Sequence, residues 1–172
     1  MADDLTLATG NATGLPVDTR IWTNFRDHNG TNAEVQGVEV VGTDDVTLLA
    51  SAAHATGSAV NSADQTNYIH KGALFFLNVT VEAGSGKTLS LKIQGKDPIS
   101  GNYIDIYSFG VLVTHATGTF GALVHPGIIA ADIGSGIIAA KVGILPKVWR
   151  AAVTASDATS WTYSLSASML AA

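Results

Sequence analysis

The sequence predicts an all-β chain: an antiparallel β-sandwich, of jelly-roll or immunoglobulin-like type, with an extended N-terminal arm. Three observations predict it. Apolar and polar residues alternate with a period of two in several runs after position 46. Turn residues separate these runs at short intervals. No stretch carries the 3.6-residue periodicity of a long helix.

The first 43 residues differ from the rest. Gly10-Asn11, Thr13-Gly14-Leu15-Pro16 and His28-Asn29-Gly30 are turn chemistry. Short apolar pieces lie between them, notably Ile21-Trp22 and Phe25. One short strand is expected near Val35–Val41, and the remainder reads as an arm. The expected organisation is therefore an arm over 1–43 and a β-sandwich over 44–172. Trp22 and Phe25 are candidates to anchor the arm, on its own domain or on a neighbour.

Val46–Ala50 is a short strand. Ala73–Glu82 is apolar on both faces in its first half, which suits a central, buried strand. Thr88–Gln94 alternates: Leu89, Leu91 and Ile93 point one way and Ser90, Lys92 and Gln94 the other. The Gly-rich link between these runs, Ala83-Gly84-Ser85-Gly86-Lys87, reads as a hairpin connection. Lys96–Asn102 is a turn in which Asp97 bonds its own backbone and Gly101 accepts positive φ. Tyr103–Val113 and Phe120–Val124 are further strands, separated by Thr117-Gly118-Thr119 and closed by His125-Pro126-Gly127. Residues 128–145 mix isoleucines, alanines and glycines and read mostly as loop. After Pro146, Lys147–Ala155 places Trp149, Ala151, Val153 and Ala155 on one face. Ser160–Leu170 alternates throughout, with Trp161, Tyr163, Leu165, Ala167 and Met169 opposed to Thr162 and three serines. A slip of one residue would bury the serines, so this register is strongly set.

Composition narrows the function classes. Charged residues make up 13% of the 172 positions, about half the ~25% of an ordinary soluble domain. Mean hydropathy is +0.28. The longest apolar run, Ile128–Leu145, is broken by Asp132, Lys141 and glycines, where a spanning helix wants ~20 apolar residues. No membrane partner is expected. The acidic start, Met1-Ala2-Asp3-Asp4, is unlike a secretory signal. A net charge of −5 with scattered basic residues argues against nucleic acid as the main partner. A weakly charged surface instead suits burial by partner subunits, whose interfaces are depleted of charge at their centres.

Motifs for chemistry are weak. Gly84-Ser85-Gly86-Lys87-Thr88 has the tail of a phosphate-binding loop, but Val81 stands where the first glycine belongs and a strand follows instead of a helix. His28, His54, His70, His115 and His125 are single, without ligand spacing. Asp105 and Arg150 suit a partly buried Arg–Asp pair joining strands. There is no cysteine, and no Gly-x-Ser-x-Gly nucleophile elbow. The sequence thus predicts no enzyme, no catalytic residue, no cofactor and no metal.

Several local sequences carry a resemblance. They are Ser62-Ala63-Asp64-Gln65-Thr66-Asn67 followed by Lys71-Gly72, Asn78-Val79-Thr80, Ile93–Gly101, His125-Pro126-Gly127, Leu145-Pro146 with Trp149-Arg150, and the closing serine-rich strand. Together these resemble a group of small structural proteins of tailed-bacteriophage virions. The likeness covers roughly three quarters of the chain, from Val46 onward. It implies a virion protein that decorates or cements the capsid by bridging major capsid subunits, made in the host cytoplasm. The implied partners are the major capsid protein, other virion proteins and further copies of itself. Trp22 and Phe25 of the arm, and Ile128, Ile129, Ile137 and Ile138 of the glycine-broken segment, are the candidate contact residues. The alternative expectation is a tail- or fibre-associated β-domain that binds a host glycan or another virion protein. A glycan site would need an aromatic platform, for which Tyr68, Tyr103 and Trp22 are candidates.

Overall fold

Alternation fixes which residues are buried, and burial fixes which strands become neighbours. The computed structural model describes residues 18–28, 31–41, 45–129 and 134–170, with side chains described from 45 onward. The chain divides into two compact units, Met1–Thr43 and Asp44–Ala172.

In the first unit, β1 (Asp18–His28) and β2 (Thr31–Val41) pair antiparallel, from Asp18 opposite Val41 to His28 opposite Thr31. Asn29-Gly30 is the only sequence between them, a dipeptide strongly favoured in two-residue hairpin turns. The structure therefore places two strands where the sequence reading expects one. Trp22 and Phe25 both lie on β1, and their side chains fall outside the described residues.

The second unit holds β3 (Asp45–His54), β4 (Val60–Asn61), β5 (Gln65–Thr66), β6 (Gly72–Val81), β7 (Thr88–Lys96), β8 (Tyr103–Thr114), β9 (Gly118–Val124), β10 (Ile137–Lys141), β11 (Val148–Ala155) and β12 (Trp161–Leu170). One sheet runs β10-β9-β6-β12-β3 and the other β4-β11-β7-β8, with β5 also on β11. All pairings are antiparallel except β10 with β9. The two sheets share one apolar core, a sandwich-like layering. Phe75, Leu77, Trp161, Tyr163 and Leu165 come from the first sheet, and Leu89, Leu91, Ile93, Trp149 and Val153 from the second. The Phe75 ring meets Trp149 edge-on at 5.8 Å and lies 6.1 Å from Phe109.

Several expectations appear directly in the register. β6 is flanked by β9 and β12, the central place its two apolar faces require. On β12, Trp161, Tyr163, Leu165 and Ala167 are buried while Thr162, Ser164 and Ser166 are half-buried. The turn before β8 is as the sequence predicts: Ile99 N–H donates to Asp97 Oδ1 at 3.0 Å, and Gly101 sits at φ +73°.

One expectation is corrected. Residues 82–87 do not close a hairpin, because β6 and β7 belong to different sheets. Both edges of β6 are already taken, so the chain must cross to the other layer. The described residues of segment 128–145 lie mostly outside strands, as the sequence reading expects, but they include the short strand β10. The chain turns back after β9 and re-enters in the same direction, which makes the pairing parallel. Gly121 permits this close approach: its N–H bonds Gly136 O at 3.1 Å, and an added Cβ would lie 2.7 Å from that oxygen.

Sheet edges are irregular. Edge strand β8 shifts register against β7 at three places, and such bulges blunt an edge against unwanted strand pairing. On the opposite edge β4 and β5 are interrupted, and Ser62 fills the break. Its hydroxyl accepts the Ala151 N–H at 3.0 Å and donates to Ala63 O at 2.9 Å.

Candidate interaction surface

Strand alternation sends one set of polar side chains to the outer face of the second sheet. Lys92, Gln94 and Lys96 come from β7, Tyr103 and Asp105 from β8, and Arg150 from β11. They form a connected ladder. Arg150 Nε donates to Gln94 Oε1 at 2.8 Å, and Gln94 Nε2 donates to Asp105 Oδ1 at 2.8 Å. Lys92 Nζ donates to Asp105 Oδ2 at 2.7 Å. The hydrogen bond from Lys92, and then that from Gln94, holds the Asp105 carboxyl below its usual range. The direct Arg150–Asp105 pair expected from sequence is not what joins the strands. Gln94 stands between them, because it is the neighbour of both: opposite Arg150 on one side and Asp105 on the other.

The ladder ends on Asp64, just before β5. Asp64 accepts from Lys96 Nζ at 2.7 Å and from Tyr103 OH at 2.5 Å. These bonds, that from Lys96 first, lower its carboxyl and correspondingly raise Lys96. The Arg150 guanidinium lies 3.5 Å over the Tyr103 ring, a cation–π contact. One face of the Tyr103 ring is thus covered by the guanidinium.

Other titratable groups of the second unit make contacts outside this ladder. Lys87, from the Gly84–Thr88 sequence, ion-pairs with Asp157. Lys87, then Thr159, brings the Asp157 carboxyl down to about 2. His115 Nδ1 faces Glu82 Oε2 at 3.0 Å. His54 stacks on Tyr163 with ring centroids 4.4 Å apart, and His125 Nδ1 accepts the Gly127 N–H at 3.1 Å. Among the described residues no three His, Asp or Glu gather as a metal site would require. No helix among them is long and apolar enough to cross a membrane.

The structure joins two of the motifs that carry the resemblance. Asn67 Nδ2 donates to His70 O at 2.7 Å and to Leu145 O at 3.2 Å, while Asn67 Oδ1 accepts the His70 N–H at 2.9 Å. Asn67 N–H bonds Lys147 O at 2.7 Å, and Leu145 N–H bonds Lys71 O at 3.2 Å. The turn at 67–71 and the strip at 141–147 are therefore zipped together. Tyr107 OH, donating to Ile144 O at 2.8 Å, fixes the strip to β8 as well.

Of the sequence-predicted contact residues, Ile129 is 65% exposed and Ile138 49%. Ile128 and Ile137 are half-buried. Ile137 and Ile138 lie on β10, and Ile128 and Ile129 just after the turn that follows β9. Sequence reasoning ended the apolar segment at Leu145 without singling out Val142 and Ile144, both exposed. Their alternation with Lys141 and Gly143 was the available signal.

Comparison with protein-family models gives no match, and comparison with curated proteins gives none either.

Proposed function

We propose that the chain is a structural virion protein that decorates a bacteriophage capsid and stabilises it by bridging major capsid subunits. In this reading the second unit is a rigid β-sandwich, of jelly-roll or immunoglobulin-like type, that presents contact surfaces. The observation that carries the proposal is the exposure of the aliphatic side chains of Ile129, Ile138, Val142 and Ile144. Pairing with β9 pins 137–141, and the Tyr107 hydroxyl pins Ile144. Apolar groups held rigid in water lose little further freedom when a partner covers them. The sequence motifs that resemble tailed-phage structural proteins supply the particle context, and the low charge content agrees with covered surface. The first unit offers a second attachment through Trp22 and Phe25, and two linked contacts raise avidity well above either alone.

The test compares isolated particles with and without the protein. Particles lacking it are expected to rupture at lower temperature and in milder osmotic shock, with purified protein restoring resistance. Equal rupture temperatures would contradict the proposal.

A further inference from the structure

The strand directions give the second unit two distinct ends. At one end β9, β10 and β12 finish and β6 begins, so the turn 67–71 and the strip 141–147 lie together there. At the other end lie residues 82–87 and the turn 156–160.

The cations are distributed unevenly between these ends. Lys87, Lys92 and Lys96 each hold a carboxylate, and Arg150 holds Gln94 and Tyr103. Among the described residues the side chains of Lys71, Lys141 and Lys147 meet no carboxylate, and all three are exposed. All three sit in the zipped pair of segments. In those same segments Tyr68 is 80% exposed, Ile69 56%, Val142 68% and Ile144 61%. Three described carboxylates share this end, and Asp64 is taken up by Lys96 and Tyr103. Asp97 is bonded to Ser100 and the Ile99 N–H, and Asp45 lies on β3, across the sheet from Lys141. Among the described residues of a chain of net charge −5, the lysines that meet no carboxylate thus lie beside the exposed Tyr68, Ile69, Val142 and Ile144.

We infer that the surface formed by 67–71 and 141–147 docks onto an apolar protein surface rimmed by carboxylates. Under the function proposed above, on which this rests, that surface belongs to the capsid shell. Charge complementarity sets the sign of the partner: three lysines interleaved with four apolar side chains match acids interleaved with an apolar patch. It also disfavours a second copy bound symmetrically through this end, since lysine would then face lysine. The clamped geometry favours a protein over a lipid surface. Asn67 and Tyr107 hold both segments in fixed positions, which suits a partner of fixed shape, whereas a fluid bilayer imposes no such match.

The test measures co-sedimentation of the full chain with capsid shells assembled without it. Tyr68→Ser with Ile69→Ser is expected to weaken binding by about tenfold or more. Lys71→Glu, Lys141→Glu and Lys147→Glu together are expected to weaken it about a hundredfold at low salt, with the gap from wild type narrowing as salt rises. Val81→Ser with Val111→Ser, remote from both segments, is expected to bind as wild type does. Melting temperatures establish that each variant is folded, and the lysine set decides if the Tyr68/Ile69 variant is not. Wild-type binding with undiminished binding by both variants would overturn this inference and leave the capsid reading standing. Failure of wild type to bind shells would overturn the reading and this inference with it. Lysine-dependent binding to phosphatidylglycerol vesicles without shell binding, or self-association lost in the same variants, would replace the partner named here with lipid or a second copy.

Discussion

Phe75→Ala tests whether the two sheets truly share a core. Phe75 lies on central strand β6 and is fully buried. Its ring reaches across the layers to Trp149 on β11 and Phe109 on β8. Truncating a buried phenylalanine costs about 3–5 kcal/mol, the lost transfer energy plus that of the cavity left behind. The edge-on contact with Trp149 and the tilted one with Phe109 account for about 0.5–1.5 kcal/mol each within that sum. Domains are stable by only about 5–15 kcal/mol, so the variant should lose a large part of its margin. At 2–4 °C per kcal/mol for a domain of this size, the melting temperature should fall by roughly 6–20 °C. Urea unfolding followed by tryptophan fluorescence gives the free energy, and a double-mutant cycle with Trp149→Phe isolates the pair. A loss below about 1 kcal/mol, or no coupling in the cycle, would refute a core built between these layers.

Three further outcomes follow from single contacts. Ser62→Ala leaves the Ala151 N–H without its side-chain acceptor and should cost about 1–3 kcal/mol in urea unfolding; an unchanged midpoint would show that this bond does not hold the broken edge. The Asp157 carboxyl sits near 2 in the folded state against an ordinary 3.8, so the stability it gives is complete above pH 3.8 and is lost as pH falls through about 2. Asp157→Asn should remove that part of the acid sensitivity, and identical acid titrations of the two proteins would contradict the Lys87–Asp157 pairing. Burial raises Tyr163 to about 12 from an ordinary 10.0, so its contribution is complete below pH 10 and is lost as pH rises from 10 through about 12. Phenolate absorbance should show a step near pH 12 that is absent in Tyr163→Phe; its persistence in that variant would place that step on another ring.

Much of the second unit was legible in its sequence. β6, β7 and β12 announce themselves because burial on one face or both writes a period of two, or an unbroken apolar run, into the residues. Which strands pair is less legible. The Gly84–Lys87 link is equally long for a hairpin and for a step between layers, and only the occupied edges of β6 decide. β10 was missed because it is short and its partner β9 is reached through a crossover, which no local pattern records. β1 escaped for a different reason: its sequence, from Asp18 to His28, lacks alternation, so Asn29-Gly30 signals a turn with a legible strand only on its far side, near Val35–Val41. The Arg150–Asp105 expectation named the right strands and omitted Gln94, whose role depends on register. The lysine-and-apolar end was invisible for the same reason. Lys71 and Lys147 are distant in sequence, and they become neighbours only through Asn67 and the strand order.

Hydrogen–deuterium exchange of the full chain, free and on capsid shells, tests the central claim most directly. Slowed exchange in 67–71 and 141–147 on binding, with 82–87 and 156–160 unchanged, is the predicted result. Protection confined to the opposite end, or none in either segment, would contradict the account.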